Sequence, residues 1–104
     1  MDMYRARDER DNREWLAELD SAADALDLDP ATRDRAADLF LSTAPENDRS
    51  KPAALAASVY AAGLIAGDRR SQTAVAETVG VARLTIQNRW RDLLREAGLD
   101  PPAW

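Results

Sequence analysis

Residues 53–66, AALAASVYAAGLIA, have to be covered on nearly every side, and this constrains the fold more than any other stretch. A helix of this length falls short of the roughly 20 apolar residues that cross a bilayer, so one that is apolar all round belongs at the centre of a bundle. The many Ala residues and Gly63 let neighbouring helices approach closely, while Leu55, Val59, Tyr60, Leu64 and Ile65 fill the gaps between them. Gly67 can end the helix in the left-handed conformation, after which Asp68-Arg69-Arg70 leads to Ser71, a helix cap.

The stretch 71–97, SQTAVAETVGVARLTIQNRWRDLLREA, follows as two helices joined by a tight turn at Gly80. Val75 and Val79 share a face of the first, and Ala76 is small enough to admit the second. Ile86, Trp90, Leu93, Leu94 and Ala97 form one buried stripe on the second. Small residue, glycine corner and flanking apolar faces together match helix-turn-helix spacing, which can hold a helix out for DNA; a plain helical hairpin closing a bundle has the same pattern.

Ahead of the central helix, Trp15, Leu19, Ala22 or Ala23, and Leu26 predict a first helix from about residue 11 to near Asp27. Asp29-Pro30 starts a second, with Asp29 as N-cap, running to about Ala44; Ala36, Leu39, Phe40 and Thr43 line its inner face, and Arg33, Asp34, Arg35 and Asp38 stay in water. Residues 45–49 form a polar connection, and Ser50 is placed to cap the helix containing Pro52. The expected fold class is all-α, five helices with the apolar third one central, and the chain divides into a charged arm at 1–10, one domain at 11–97 and a short tail at 98–104. Gly98 ends the last helix; Trp104 either docks back or hangs loose.

At 104 residues the chain carries one modest core. It has no cysteine and no histidine, so disulfides and thiolate or imidazole metal sites are excluded. Glu14 with Glu18, and Asp34 with Asp38, read as solvated faces. No nucleophile lies beside a base and no Gly-rich loop holds phosphates, so neither an enzyme nor a cofactor or metal is expected. No membrane span or signal peptide is evident, and the expected location is cytoplasmic, in association with the nucleoid.

The net charge of −5 is unevenly spread. Residues 1–48 carry six Arg against fourteen Asp and Glu, −8; residues 49–95 carry seven Arg and Lys51 against Asp68, Glu77 and Asp92, +5; residues 96–104 add −2. The positive region coincides with the paired helices, which suits contact with DNA, and solvated helix faces would carry the same charge. Basic charge is almost all Arg and acidic charge mostly Asp. Chains adapted to a very salty cytoplasm share that bias, and GC-rich coding would also favour Arg. At molar salt the Debye length is only about 3 Å, so base and apolar contacts would outweigh phosphate pairing.

DRSKPAALAASVYAAGLIAGDRRSQTAVAETVGVARLTIQNRWRDL resembles the second cyclin-like repeat of archaeal transcription factor B, the counterpart of eukaryotic TFIIB. The likeness rests on Arg49-Ser50, the Ala-rich helix with Tyr60, Arg70-Ser71-Gln72, Val75-Ala76-Glu77, Gly80-Val81, Thr85-Ile86 and Asn88-Arg89-Trp90, and roughly residues 14–97 can be laid on one repeat. With the Arg and Asp bias it implies a haloarchaeal, stand-alone single repeat, lacking the zinc ribbon, connecting region and first repeat of an initiation factor.

The resemblance implies a helix at 82–97 that enters the major groove beside the TATA element, next to a surface for the TATA-binding protein. Leu84, Gln87, Asn88, Arg91 and Arg95 lie opposite the buried stripe and, with Arg83 and Thr85, make up the expected DNA-binding set. Leu84 stands where the family has a base-contacting Val and would pack on a thymine methyl. Gln87 stands in place of a base-reading Arg and would pair with adenine N6 and N7. Arg83, Arg91 and Arg95 would reach phosphates. Arg89 is expected to be structural, paired with Asp92. Ala82 replaces a capping Thr, a loss worth about 0.5–2 kcal/mol.

Two functions follow. One is a DNA-binding transcription regulator whose partner is double-stranded DNA, with a homodimer adding specificity. The other is a protein-interaction module that binds the TATA-binding protein or another transcription factor without reading DNA.

Overall fold

The computed structural model describes Arg10 and residues 12–102; the expectations for residues 1–9 and Trp104 lie outside these. Helices α1 (Arg13–Ala25), α2 (Pro30–Thr43), α3 (Lys51–Ala66), α4 (Gln72–Val79) and α5 (Arg83–Glu96) are joined by short connections, one carrying a 3-10 turn at Asp48–Ser50. No strand occurs among the described residues. Among the described residues the all-α arrangement of five helices is as the sequence predicts, and α3 is its centre: it touches each of the other four, and residues 54–63 are buried throughout.

α1 buries Leu19, Ala22 and Ala23, while Trp15 is half-buried. Asp27 reverses the chain at φ 55°, letting the Leu28 N–H reach the Ala23 carbonyl at 3.0 Å. α2 buries Thr32, Ala36, Leu39, Phe40 and Leu41. Thr43, expected on that face, is half-buried and donates its hydroxyl to the Leu39 carbonyl. Arg33, expected in water, is half-buried and ion-paired with Asp24 of α1.

Two expected caps are absent. The Asp29 side chain accepts no capping hydrogen bond; its own backbone N–H donates instead to Asp68 Oδ2 at 2.9 Å. Ser50 caps nothing because its backbone is already helical (φ −90°, ψ −9°) at the end of the 3-10 turn. Asn47 acts as the cap instead, ahead of that turn, accepting from the Arg49 N–H at 2.9 Å. Lys51 is buried and paired with Asp48 at 3.3 Å.

The connection between α3 and α4 ties the front of the molecule to the back. Arg70 donates from Nε to the Leu26 carbonyl and from Nη2 to the Asp27 carbonyl, both at 2.9 Å, satisfying the end of α1. Its Nη1 meets Asp68 Oδ1 at 2.8 Å, so Asp68 bridges Arg70 and the start of α2. The Asp29 N–H, followed by the Arg70 guanidinium, holds the Asp68 carboxyl below its ordinary value of 3.8. Gly63 makes room for this connection, not for a neighbouring helix as expected: a Cβ there would lie 2.9 Å from the Asp68 carbonyl oxygen.

Candidate nucleic-acid interface

Ser71 caps α4 as its position predicts, its Oγ accepting from the Ala74 N–H at 3.0 Å. Val75 and Ala76 are buried against the core. Gly80 then turns the chain at φ 90°, its N–H and that of Val81 both returning to the Ala76 carbonyl at 2.8 and 3.0 Å. The positive φ is what calls for glycine here, since a Cβ would meet nothing within 4 Å.

Ala82 occupies the N-cap of α5 in the extended conformation (φ −73°, ψ 144°) and offers no side-chain acceptor. Its carbonyl still takes the Thr85 N–H at 3.0 Å. Ile86, Trp90, Leu93 and Leu94 are buried, and Ala97 is half-buried beyond them. Gly98 (φ 80°) closes the helix, with the Leu99 N–H on the Leu94 carbonyl at 2.8 Å.

The expected residues of α5 differ in exposure, and Arg83 and Gln87 lie on the side next to α4. Arg83, Leu84, Asn88 and Arg95 are exposed, and Thr85, Gln87 and Arg91 are half-buried. Leu84 is 59 % exposed, much more than the 36 % of Ile65, the other large apolar side chain on the described surface. The Arg91 guanidinium lies 4.4 Å from the centre of the Trp90 ring, a cation–π contact that steadies it along the helix. Arg95 pairs with Asp92 at 2.9 Å, both well exposed. That pair displaces the expected Arg89–Asp92 pair: in this helix Asp92 reaches the arginine one turn ahead, and Arg89 Nε is buried without a hydrogen-bond partner among the described residues. An exposed pair contributes about 0–1 kcal/mol, so Arg95 can exchange Asp92 for another anion at little cost.

Lys51 and Arg70 are engaged within the fold, whereas Arg49, Arg69, Arg83 and Arg95 are exposed and Arg89 and Arg91 are half-buried. One participant was not anticipated. Gln72, at the first position of α4, donates from Nε2 to Gln87 Oε1 at 2.7 Å and accepts from Arg83 Nη1 at 3.2 Å. Ser71 as cap places Gln72 in the first turn, but a bond spanning fifteen positions between helices leaves no mark in periodicity. Among the described residues, no helix is long and apolar enough to cross a membrane, and no group of three or more acidic side chains could hold a metal.

Comparison with known proteins bears on this architecture. A family model described as the transcription factor TFIIB repeat matches residues 13–96. Transcription initiation factor IIB of Pyrodictium occultum is 35% identical over 82 residues, 76% of this chain and 26% of the relative. Transcription initiation factor IIB 2 of Thermococcus kodakarensis is 28% identical over 87 residues, 81% of this chain and 28% of the relative. Transcription initiation factor IIB 1 of Thermoplasma volcanium reaches 49% over 45 residues, 43% of this chain and 14% of the relative. The chain thus spans about a quarter of the length of the curated relatives that it matches most broadly.

Proposed function

This chain belongs to the transcription factor TFIIB repeat family, and we propose that it is a DNA-binding transcription regulator whose single domain, residues 11–97, lays α5 in the major groove of double-stranded DNA. The observation that carries this reading is the solvent side of α5, where Arg83, Leu84, Asn88 and Arg95 are exposed and Thr85, Gln87 and Arg91 are half-buried. Leu84 has no partner in the core and suits a thymine methyl; Gln87 and Asn88 can meet base edges. Arg83, Arg91 and Arg95 set the helix on the phosphates.

The segment 49–97 acts as the second repeat of transcription factor B acts, with the TATA-binding protein or another transcription factor as protein partner and a second copy of the chain supplying further specificity. The preference for Arg over Lys and Asp over Glu suits work in a haloarchaeal cytoplasm, where apolar and base contacts have to outlast screened phosphate contacts.

Selection from random duplexes at several salt concentrations up to molar tests the reading. The wild-type chain enriches one sequence, and Gln87→Ala and Arg91→Ala each weaken binding to it by about tenfold. Full retention of selective binding in both variants rejects α5 as the reader. Capture of the TATA-binding protein with no duplex enriched would support the protein-interaction module instead.

A further inference from the structure

Arg83, Gln72 and Gln87 form a chain of hydrogen bonds across the gap between α4 and α5, and its direction is set at one end. A guanidinium carries donors only, so the atom that Gln72 turns towards Arg83 has to be its oxygen. The Gln72 nitrogen is then turned towards Gln87, and Gln87 answers with its own oxygen. Both glutamines are half-buried, so an amide turned the wrong way would set donor against donor between the two helices.

We infer that Gln72 is a specificity-determining residue: it holds the Gln87 oxygen inward against α4 and leaves the Gln87 NH2 as the group offered to the groove. The inference rests on the groove reading above and deepens it. Pairing of a glutamine with adenine uses both ends of the amide, the oxygen accepting from N6 and the nitrogen donating to N7. With its oxygen held by Gln72, Gln87 presents a donor. Guanine, with O6 and N7 both acceptors, and thymine, with O4, suit that donor best; adenine accepts at N7 alone, beside the N6 donor that now lacks the Gln87 oxygen, and cytosine N4 opposes it with a donor of its own. The position read by Gln87 therefore selects guanine or thymine, in place of the adenine expected from residue type alone.

A carboxylate at position 72 accepts only. It keeps the bond from Arg83 but requires a donor from Gln87, so the Gln87 amide turns over and presents its oxygen. Random-duplex selection is run on the wild-type chain, on Gln87→Ala to locate the base position, on Gln72→Glu, and on Gln72→Ala, which releases the amide. The wild type enriches guanine or thymine at the located position by about fivefold to tenfold, a single hydrogen bond's worth of preference. Gln72→Glu inverts this to adenine or cytosine, Gln72→Ala moves it towards adenine, and preferences elsewhere in the site stay as they were. A wild-type preference for adenine, or an unchanged preference in Gln72→Glu, overturns the inference.

Side-chain amide NMR of the DNA-free chain separates the hydrogen-bond relay from the groove reading. The Gln72 amide protons exchange with water more slowly than those of Gln87, and lose that protection in Gln87→Ala. Duplex selection without this protection means that the relay has failed while the groove reading stands. Protection without duplex selection means that the groove reading has failed and the specificity role falls with it.

Discussion

The Tyr60 and Trp90 rings meet edge to face, with centroids 5.7 Å apart and planes at 71°. Both are almost fully buried, and the contact joins the innermost helix to the one that displays the candidate interface. Such a pair is worth about 0.5–1.5 kcal/mol beyond the area it buries. α5 is gripped on its inner face, so its outer face can be chosen for polarity and shape without reference to the core.

Trp90→Ala therefore costs about 3–5 kcal/mol of stability, read from urea unfolding of the two chains side by side. A loss below about 1 kcal/mol would mean that α5 is held by something other than this stripe.

Gly63→Ala forces a methyl group to within 2.9 Å of a backbone oxygen at Asp68, and the backbone cannot withdraw without disturbing the Arg70 contacts. The expected cost is about 1–3 kcal/mol, from unfolding by urea or heat. A neutral or stabilising substitution would show that the connection yields easily.

Asp68 gives the fold a pH dependence whose sign is fixed. Its folded-state pKa lies below the ordinary 3.8, through the Asp29 N–H and then Arg70, so its contribution is fully present above about 3.8 and is lost as the pH falls through the lowered folded value. The gap in urea midpoint between wild type and Asp68→Asn should hold steady from pH 7 down to about 4, then narrow as the solution is made more acidic. A gap that widened on acidification would contradict the assignment.

Ala82 has the extended backbone of an N-cap but no acceptor on its side chain. Ala82→Ser should stabilise the chain by about 1 kcal/mol, and Ser71→Ala should cost a similar amount at the cap that is occupied. Thermal midpoints of the two variants should move in opposite directions; a falling midpoint in Ala82→Ser would show that the α5 start is satisfied in another way.

The core was legible in the sequence because it is written in periodicity. The all-apolar stretch marks α3, and the spacing of Ile86, Trp90, Leu93 and Leu94 marks the inner face of α5. Glycines 67, 80 and 98 mark chain reversals, and each has positive φ. Contacts between distant segments were less legible. Asp29 and Ser50 were expected as caps from residue type and place, but Asp68 approaches Asp29 from 39 positions away, and a 3-10 turn takes the first turn from Ser50. Arg89 lost Asp92 to Arg95 because two arginines stand three residues either side of one carboxylate, and spacing alone ranks them equally. At the candidate interface, periodicity marks Leu84, Asn88 and Arg95 as exposed on α5, while the hydrogen bond to Gln87 comes from Gln72 of α4.

Chemical-shift mapping of the labelled chain against its enriched duplex tests most directly whether α5 enters DNA. The account predicts that the largest changes fall on residues 82–95 and on the Gln72 and Gln87 side-chain amides, with α1 and α2 nearly unmoved. Changes confined to α1 and α2, with α5 silent, would contradict it.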